Sequence, residues 1–374
     1  MTTPGQVLSM ARKSAGISLR AMAAHPAMPY TAMALSNYEN NRRTIPLDLG
    51  ELYSAVIGRP VDLPEVDMVR LAHEWLLDLG SSPSVEHRNA GQRIGSSLAD
   101  ALEQKIINLR LADDTVPGSD LAPLVRNELT ELESILSQCS YSPQVGRRLL
   151  HINAELSQLA GWLAYVADGD MPRAEALYWS GAKSAMGTGD RPLVAWLVSG
   201  IAYQMATVGD DRAARDALLL TRSAMVGAPR VTPLQRVLLW ERTAWASAQA
   251  GDERQCLAAL DAVQEAHGDV GREAEPHRVY WLNQLESQIM RGRCLIALGR
   301  PGQAVPELTA AVAAYPTAHV REHNIYRCYL AWALADDGQV EAAEAELDAV
   351  AASGDTSARM LTLSGQIRGR LPRR

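Results

Sequence analysis

Apolar residues recur along this chain at three- and four-residue spacing nearly from end to end, in alanine- and leucine-rich stretches, and alternating apolar–polar runs are almost absent. That periodicity predicts an all-α protein. Breaks fall where proline and glycine punctuate the pattern: His25-Pro26-Ala27-Met28-Pro29, Gly58-Arg59-Pro60, Gly80-Ser81-Ser82-Pro83, Val116-Pro117-Gly118, and then a series of turns in which glycine precedes a polar or charged residue. The first breaks lie in a short head, and the last ones punctuate a long array.

The array emerges when Gly169, Gly209, Gly251, Gly299 and Gly338 are aligned, for they stand 40, 42, 48 and 39 residues apart. Five residues after each stands a small side chain: Ala174, Ala214, Cys256, Ala304 and Ala343. Seven residues before them stand Trp162, Ala202, Ala244, Gly292 and Ala331, small in every case but the first. Two antiparallel helices joined by a tight turn approach closely only where facing positions are small. Each unit is therefore expected to be a helical hairpin, and five or more of them to stack as a solenoid over 144–374. The repeat resembles the tetratricopeptide repeat, stretched beyond its usual length. Residues 65–143 look helical but lack the glycine phase, and are read as a connecting region.

The head, residues 1–64, has its own order of signals. A helix over 6–15 ends at Gly16; Ser18 can cap a second over 19–24; Thr31 can cap a third over 32–38; and a fourth over 47–56 ends before Gly58. Charge separates this head from the body. Residues 1–60 hold six basic residues (Arg12, Lys13, Arg20, Arg42, Arg43, Arg59) against three acids, a net +3 in a chain of net charge −7. A basic head on an acidic body suits one module steered to phosphate by its local field.

The motifs Ala11-Arg12, Gly16-Ile17-Ser18 with Met22-Ala23, Leu35-Ser36-Asn37-Tyr38-Glu39 with Asn40-Asn41-Arg42-Arg43, and Pro46 before Leu49, Leu52 and Val56 carry a resemblance to the Cro/phage-repressor type of helix-turn-helix, the xenobiotic-response-element family. The resemblance implies that the third helix enters the major groove of double-stranded DNA. Base-reading positions are then Thr31, Ala32, Met33, Ser36 and Asn37, and phosphate contacts come from Arg20, Asn41, Arg42 and Arg43. An amide such as Asn37 can bond adenine bidentately, and Met33 can pack on a thymine methyl. The family's arrangement also implies an ion pair between Arg12 and Glu39. Two features depart from the pattern: Leu19 stands where a phosphate-holding glutamine is common, and the turn through Pro26 and Pro29 is about two residues longer than usual.

Other chemistry finds little support in the chain. Cys139, Cys256, Cys294 and Cys328 are too scattered for a disulfide framework or a metal knuckle. His319-Val320-Arg321-Glu322-His323 fits the inverted zinc-protease signature, but a match of five residues arises by chance and no third ligand follows at a suitable position. Phosphate-cradling loops and nucleophile elbows are missing, so no catalytic residue, metal or cofactor is expected. Without a signal segment or a long apolar run, the expected location is cytoplasmic.

The architecture resembles that of actinobacterial helix-turn-helix regulators and, more distantly, of regulators that sense peptide pheromones. That implies a homodimer whose repeat domain binds a peptide or other small signal and alters DNA binding. Asn153, Gln204, Arg242, Asn283 and Asn324, polar residues assigned to the first helix of each hairpin, are candidates to grip the ligand, with Trp196 and Trp281 among the aromatics of a concave groove. The alternative is a repeat scaffold or anti-regulator that holds a protein partner and has lost DNA binding, a reading that Ala32 and Met33, poor in hydrogen bonds, would suit.

Overall fold

The computed structural model describes residues 4–40, 49–61, 93–208, 211–317, 319–354 and 357–371. The chain is all-α and divides into two compact units, Met1–Met68 and Val69–Arg374.

The first unit contains α1 (Pro4–Ser14), α2 (Leu19–Ala23), α3 (Ala32–Glu39) and α4 (Leu49–Ile57). Each helix boundary follows from a local cause. Gly16, with φ +71°, turns the chain after α1. Ser18 accepts from Ala21 N at 3.1 Å to cap α2, and Thr31 accepts from Ala34 N at 3.2 Å to cap α3. One side of every helix faces a common core of Leu8, Met22, Met28, Leu35, Tyr38, Leu49, Tyr53 and Val61. Leu19 packs at the edge of that core, which accounts for an apolar residue at the start of α2.

Among the described residues, the first helices of the second unit are α5 (Ser96–Asp113) and α6 (Gly118–Gln138). Five hairpins follow: α7 and α8 (Pro143–Leu163, Met171–Met186), α9 and α10 (Arg191–Val208, Asp211–Gly227), α11 and α12 (Pro233–Gln249, Glu253–His267), α13 and α14 (Gln284–Ala297, Pro301–Ala314), and α15 and α16 (Val320–Asp336, Val340–Ala352). A last helix, α17 (Ala358–Arg370), packs against α15. The turn glycines 169, 251, 299 and 338 all have φ between +69° and +81°, the left-handed region where a Cβ is penalised. In two turns the next residue caps the following helix: Asp170 accepts from Arg173 N and Asp252 from Gln255 N.

The small positions are at the hairpin contacts. Ala174, Ala214, Cys256, Ala304 and Ala343 are buried, as are Ala202, Ala244, Gly292 and Ala331. The exception, Trp162, has a mechanical cause. α7 runs into a π-helical turn, Ala164–Asp168, which adds one residue before Gly169. The position facing α8 is therefore Gly161, where a Cβ would stand 2.6 Å from Tyr178 Cδ2 and 3.0 Å from the Ala174 carbonyl oxygen.

The array closes on itself. Helix α17 packs against the π turn of the first hairpin, and Arg359 on α17 donates to the Tyr203 hydroxyl of the second at 3.2 Å. At the end of α5, Tyr280 donates to Asp114 at 2.8 Å and to the Arg110 carbonyl at 2.9 Å. Arg321 donates to the Asp113 carboxylate at 2.8 Å and to its carbonyl at 2.9 Å. These bridges join the end of α5 to the segment before α13 and to the start of α15, across the groove of the array.

Candidate functional sites on the head and within the repeats

In the head, α3 presents two unlike faces. Leu35, Tyr38 and Glu39 are buried, while Thr31 is exposed, Met33 is 72% exposed, and Ala32, Ser36 and Asn37 are half-buried. Behind α3, Arg12 forms a two-pronged pair with Glu39, Nε and Nη2 each 2.5 Å from a carboxylate oxygen, and its Nη1 reaches the Ile17 carbonyl at 2.7 Å. Tyr53 of α4 donates to the same carboxylate at 3.0 Å. Burial pushes the Glu39 carboxyl up, but hydrogen bonds from Arg12 and Tyr53 outweigh it and hold it below the ordinary range. The pair implied by the family arrangement is thus present, and it ties α1, α3 and α4 together. Arg20 is exposed on α2. Asn41, Arg42 and Arg43 lie outside the described residues.

Within the repeats lies a cavity of about 390 Å³. Its wall comes largely from the first helix of each hairpin, at fixed distances from the turn glycine. Thirteen residues before it stand Trp196, Leu238, Glu286 and Ile325; nine before it stand Gly200, Arg242 and Met290; six before it stand Tyr203 and Arg293. In the first hairpin the π turn shifts these by one residue, to Leu159 and Trp162. Spacings of three and four residues place these side chains on one helical stripe.

This stripe sorts the candidates named from the sequence. Trp196 and Arg242 lie on it, and Trp281 and Asn283 reach the cavity from the segment before α13. Asn283 is also the α13 cap, accepting from Leu285 N at 2.8 Å. Asn153, Gln204 and Asn324 do not line the cavity. Asn153 donates to Ser184 at 2.8 Å and Asn324 to Ser353 at 2.7 Å, each inside its own hairpin, and Gln204 is buried in the array. Their distances from the turn glycine place them on other faces of their helices. Arg110, Tyr203, Glu241, Glu286, Arg293 and Arg359 also line the cavity and were not singled out from the sequence, although Tyr203, Glu286 and Arg293 share the stripe.

The charges in the cavity are not equally partnered. Arg110 pairs with Glu155 at 3.4 Å, and Arg321 pairs with Asp113 and Glu322. The acids also have donors: Glu286 accepts from Tyr315 at 2.6 Å and Tyr326 at 2.5 Å, and Glu241 accepts from Ser287 at 2.5 Å. Burial raises the Glu286 carboxyl and pushes Glu241 up to about 7. By contrast, among the described residues no carboxylate lies within 4.0 Å of Arg242, Arg293 or Arg359. All three converge on Tyr203: Arg242 Cζ is 4.2 Å and Arg293 Cζ 5.4 Å from the ring centroid, and Arg359 bonds the hydroxyl. Burial pushes that phenol up, but Arg293, Arg359 and Arg242 together outweigh it and bring it down to about 7.

The histidines of the protease-like motif are otherwise engaged. His319 meets Tyr315 edge-on and His323 stacks on it, while Glu322 accepts from Arg321. Among the described residues no group of three or more His, Cys, Asp or Glu is placed to hold a metal ion, and no helix is long and apolar enough to cross a membrane.

No known family's sequence model matches the chain, and no curated protein does. One solved structure is similar in the course of its chain: PlcR of Bacillus thuringiensis, crystallised in complex with the peptide PapR7 and DNA. It is 13% identical with a TM-score of 0.40, covering 88% of this chain and 99% of that one. At that identity and score the likeness assigns neither ligand nor partner.

Proposed function

We propose that this chain is a cytoplasmic DNA-binding transcriptional regulator of the Cro/phage-repressor type, whose helical-repeat domain dimerises and senses a small signal. The observation that carries the reading is α3. Its inner face is clamped by the Arg12–Glu39–Tyr53 cluster, and its outer face offers Thr31, Met33 and, partly, Ser36 and Asn37. A short capped helix held rigidly with one polar-edged face outward is what insertion into a major groove needs. Asn37 is assigned to adenine, Met33 to a thymine methyl, and Arg20, Asn41, Arg42 and Arg43 to phosphate. A single head reads few base pairs, so a symmetric pair of heads on two half-sites supplies the discrimination. No catalytic role is assigned to any residue.

Gel retardation of genomic fragments at two salt concentrations tests this. Retardation that weakens as salt rises is expected, because phosphate contacts release counterions. Fragments that stay unretarded at low salt would instead favour the scaffold reading, for which the exposed Met33 would be a contact for a protein partner. Sedimentation of the full chain tests the dimer, and a monomer that binds a single unpaired site would remove it.

A further inference from the structure

We propose that the cavity of the repeats is a receptor site for a small organic carboxylate with an aromatic or apolar body, its carboxylate held by Arg242, Arg293 and Arg359. The inference rests on the sensing role proposed above and narrows what is sensed.

The electrostatics choose the sign of the ligand. Arg293 is 5% exposed, and among the described residues its Nε and Nη2 have no hydrogen-bond partner; the Nε of Arg242 has none either. A desolvated guanidinium without an opposing charge is unfavourable and is relieved by a carboxylate, which its fork matches bidentately. Every acid in the cavity already accepts from tyrosine, serine or arginine, and the other lining arginines, Arg110 and Arg321, have carboxylate partners, so among the described residues these three guanidiniums are the ones that no carboxylate faces. Arg359 bonds the Tyr203 hydroxyl and Arg242 and Arg293 lie over its ring, and together they bring that phenol down to about 7.

The walls choose the body of the ligand. Trp162, Trp196, Tyr178, Trp281, Leu238 and Met290 surround the charged triad with rings and aliphatic surface. A volume of about 390 Å³ falls at the lower end of the small-molecule range of about 300–1,000 Å³. An extended peptide advances about 3.3–3.6 Å per residue. To run along the groove it would have to break the bridges from Tyr280 and Arg321 to the end of α5. A compact anion leaves them closed. Because Arg359 belongs to α17, such a ligand would also tie the last helix to the third and fourth hairpins.

The test is calorimetric titration of the full-length chain with phenylacetate, indole-3-acetate and octanoate, each beside its neutral primary amide, and with inorganic phosphate. Saturable binding of at least one acid, with its amide at least tenfold weaker, is expected. At pH 8 that binding should be accompanied by proton uptake, as the carboxylate displaces the phenolate of Tyr203, and the uptake should vanish in Tyr203→Phe. Arg359→Met should weaken the acid at least tenfold; circular dichroism establishes that the variant is folded, and the acid–amide contrast does not depend on any variant. Equal binding of acid and amide, binding of phosphate alone, or no binding by a folded chain would each overturn the proposal. Gel retardation on the same preparation separates the two readings: a chain that retards DNA but takes no acid overturns only this inference. One that takes an acid but retards no DNA supports it and removes the regulator.

Discussion

Arg12 of the head and Arg293 of the repeats are nearly equally buried, 7% and 5% exposed, yet their surroundings differ in kind. Arg12 meets a carboxylate at two points, a backbone carbonyl at a third, and shares its acid with a phenol. Arg293 lies against the rings of Trp245, Tyr329 and Tyr203, with its Cζ 4.4, 4.5 and 5.4 Å from their centroids, and reaches no carboxylate among the described residues. A buried charge with a full set of partners is a structural fastener. A buried charge against rings, with no carboxylate and only phenols to oppose it, has room for a stronger partner that is not part of the chain.

The largest effect expected from this contrast is at the head. Glu39→Ala leaves Arg12 buried without its partner, a change that destabilises by about 3–5 kcal/mol. Calorimetric melting of the full chain should show the head transition move down and DNA retardation lost with it. Arg293→Met should behave otherwise. Removing a buried ion that no carboxylate faces relieves a desolvation penalty, and the lost contacts with the rings and with the Tyr203 and Tyr329 phenols offset that relief, so the net change is expected within about 1 kcal/mol of zero. A loss at Arg293 as large as that at Glu39 would erase the distinction between the two arginines.

The same contrast explains what could be read before any coordinates. In the head, the caps Ser18 and Thr31 and the Arg12–Glu39 pair follow from residue type and order, because each depends on neighbours at short, regular separations or on a family arrangement. The hairpins were legible because the described turns at Gly169, Gly251, Gly299 and Gly338 each need a left-handed residue and close helix contacts need a small one. The register of the first was not, since a π turn inserts a residue without changing the glycine. The cavity was less legible still. Asn153, Gln204 and Asn324 were chosen for polarity, but the inner stripe is set by distance from the turn glycine, and at those distances stand Tyr203, Glu286 and Arg293. Arg359 and Arg110 reach the cavity only because the array closes, a property of superhelical curvature that no local spacing records.

Proton linkage sharpens the comparison further, since the two units should respond to acid with opposite sign. The Glu39 carboxyl is held below its unfolded value, so its contribution is present above the ordinary carboxylate range and is lost as pH falls. Glu241 is pushed up to about 7 by burial; its contribution is present below the unfolded value near 4.5 and is lost as pH rises towards 7. Tyr203, held down to about 7, adds stability progressively as pH rises from 7 towards its unfolded value of 10. The repeat unit should therefore be least stable near neutral pH. All eight tryptophans, from Trp75 onward, belong to Val69–Arg374, so their fluorescence follows melting of that unit alone. A minimum of the melting temperature near pH 7, flattened on the acid side by Glu241→Gln and on the alkaline side by Tyr203→Phe, is expected. A monotonic rise from pH 5 to 9 would show that the cavity charges do not govern stability.

The smallest effect on stability is expected at a third kind of arginine. Arg20 is neither buried and paired like Arg12 nor buried among rings like Arg293; it is exposed on α2. Surface substitutions away from caps and cores usually change stability by less than about 0.5 kcal/mol, so Arg20→Ala should leave the melting temperature of the head almost unchanged. Its role, if it bonds a phosphate, lies entirely in the complex. Affinity for DNA should then fall to a similar extent for every fragment, and the slope of log affinity against log salt should become shallower by about one, since one fewer counterion is released. A change in preference between fragments without a change in slope would instead make Arg20 a reader of bases. No change in either would leave phosphate binding to Asn41, Arg42 and Arg43. The three arginines thus separate by what the variant alters: the fold at Arg12, an anion's affinity at Arg293, and the salt dependence of DNA binding at Arg20.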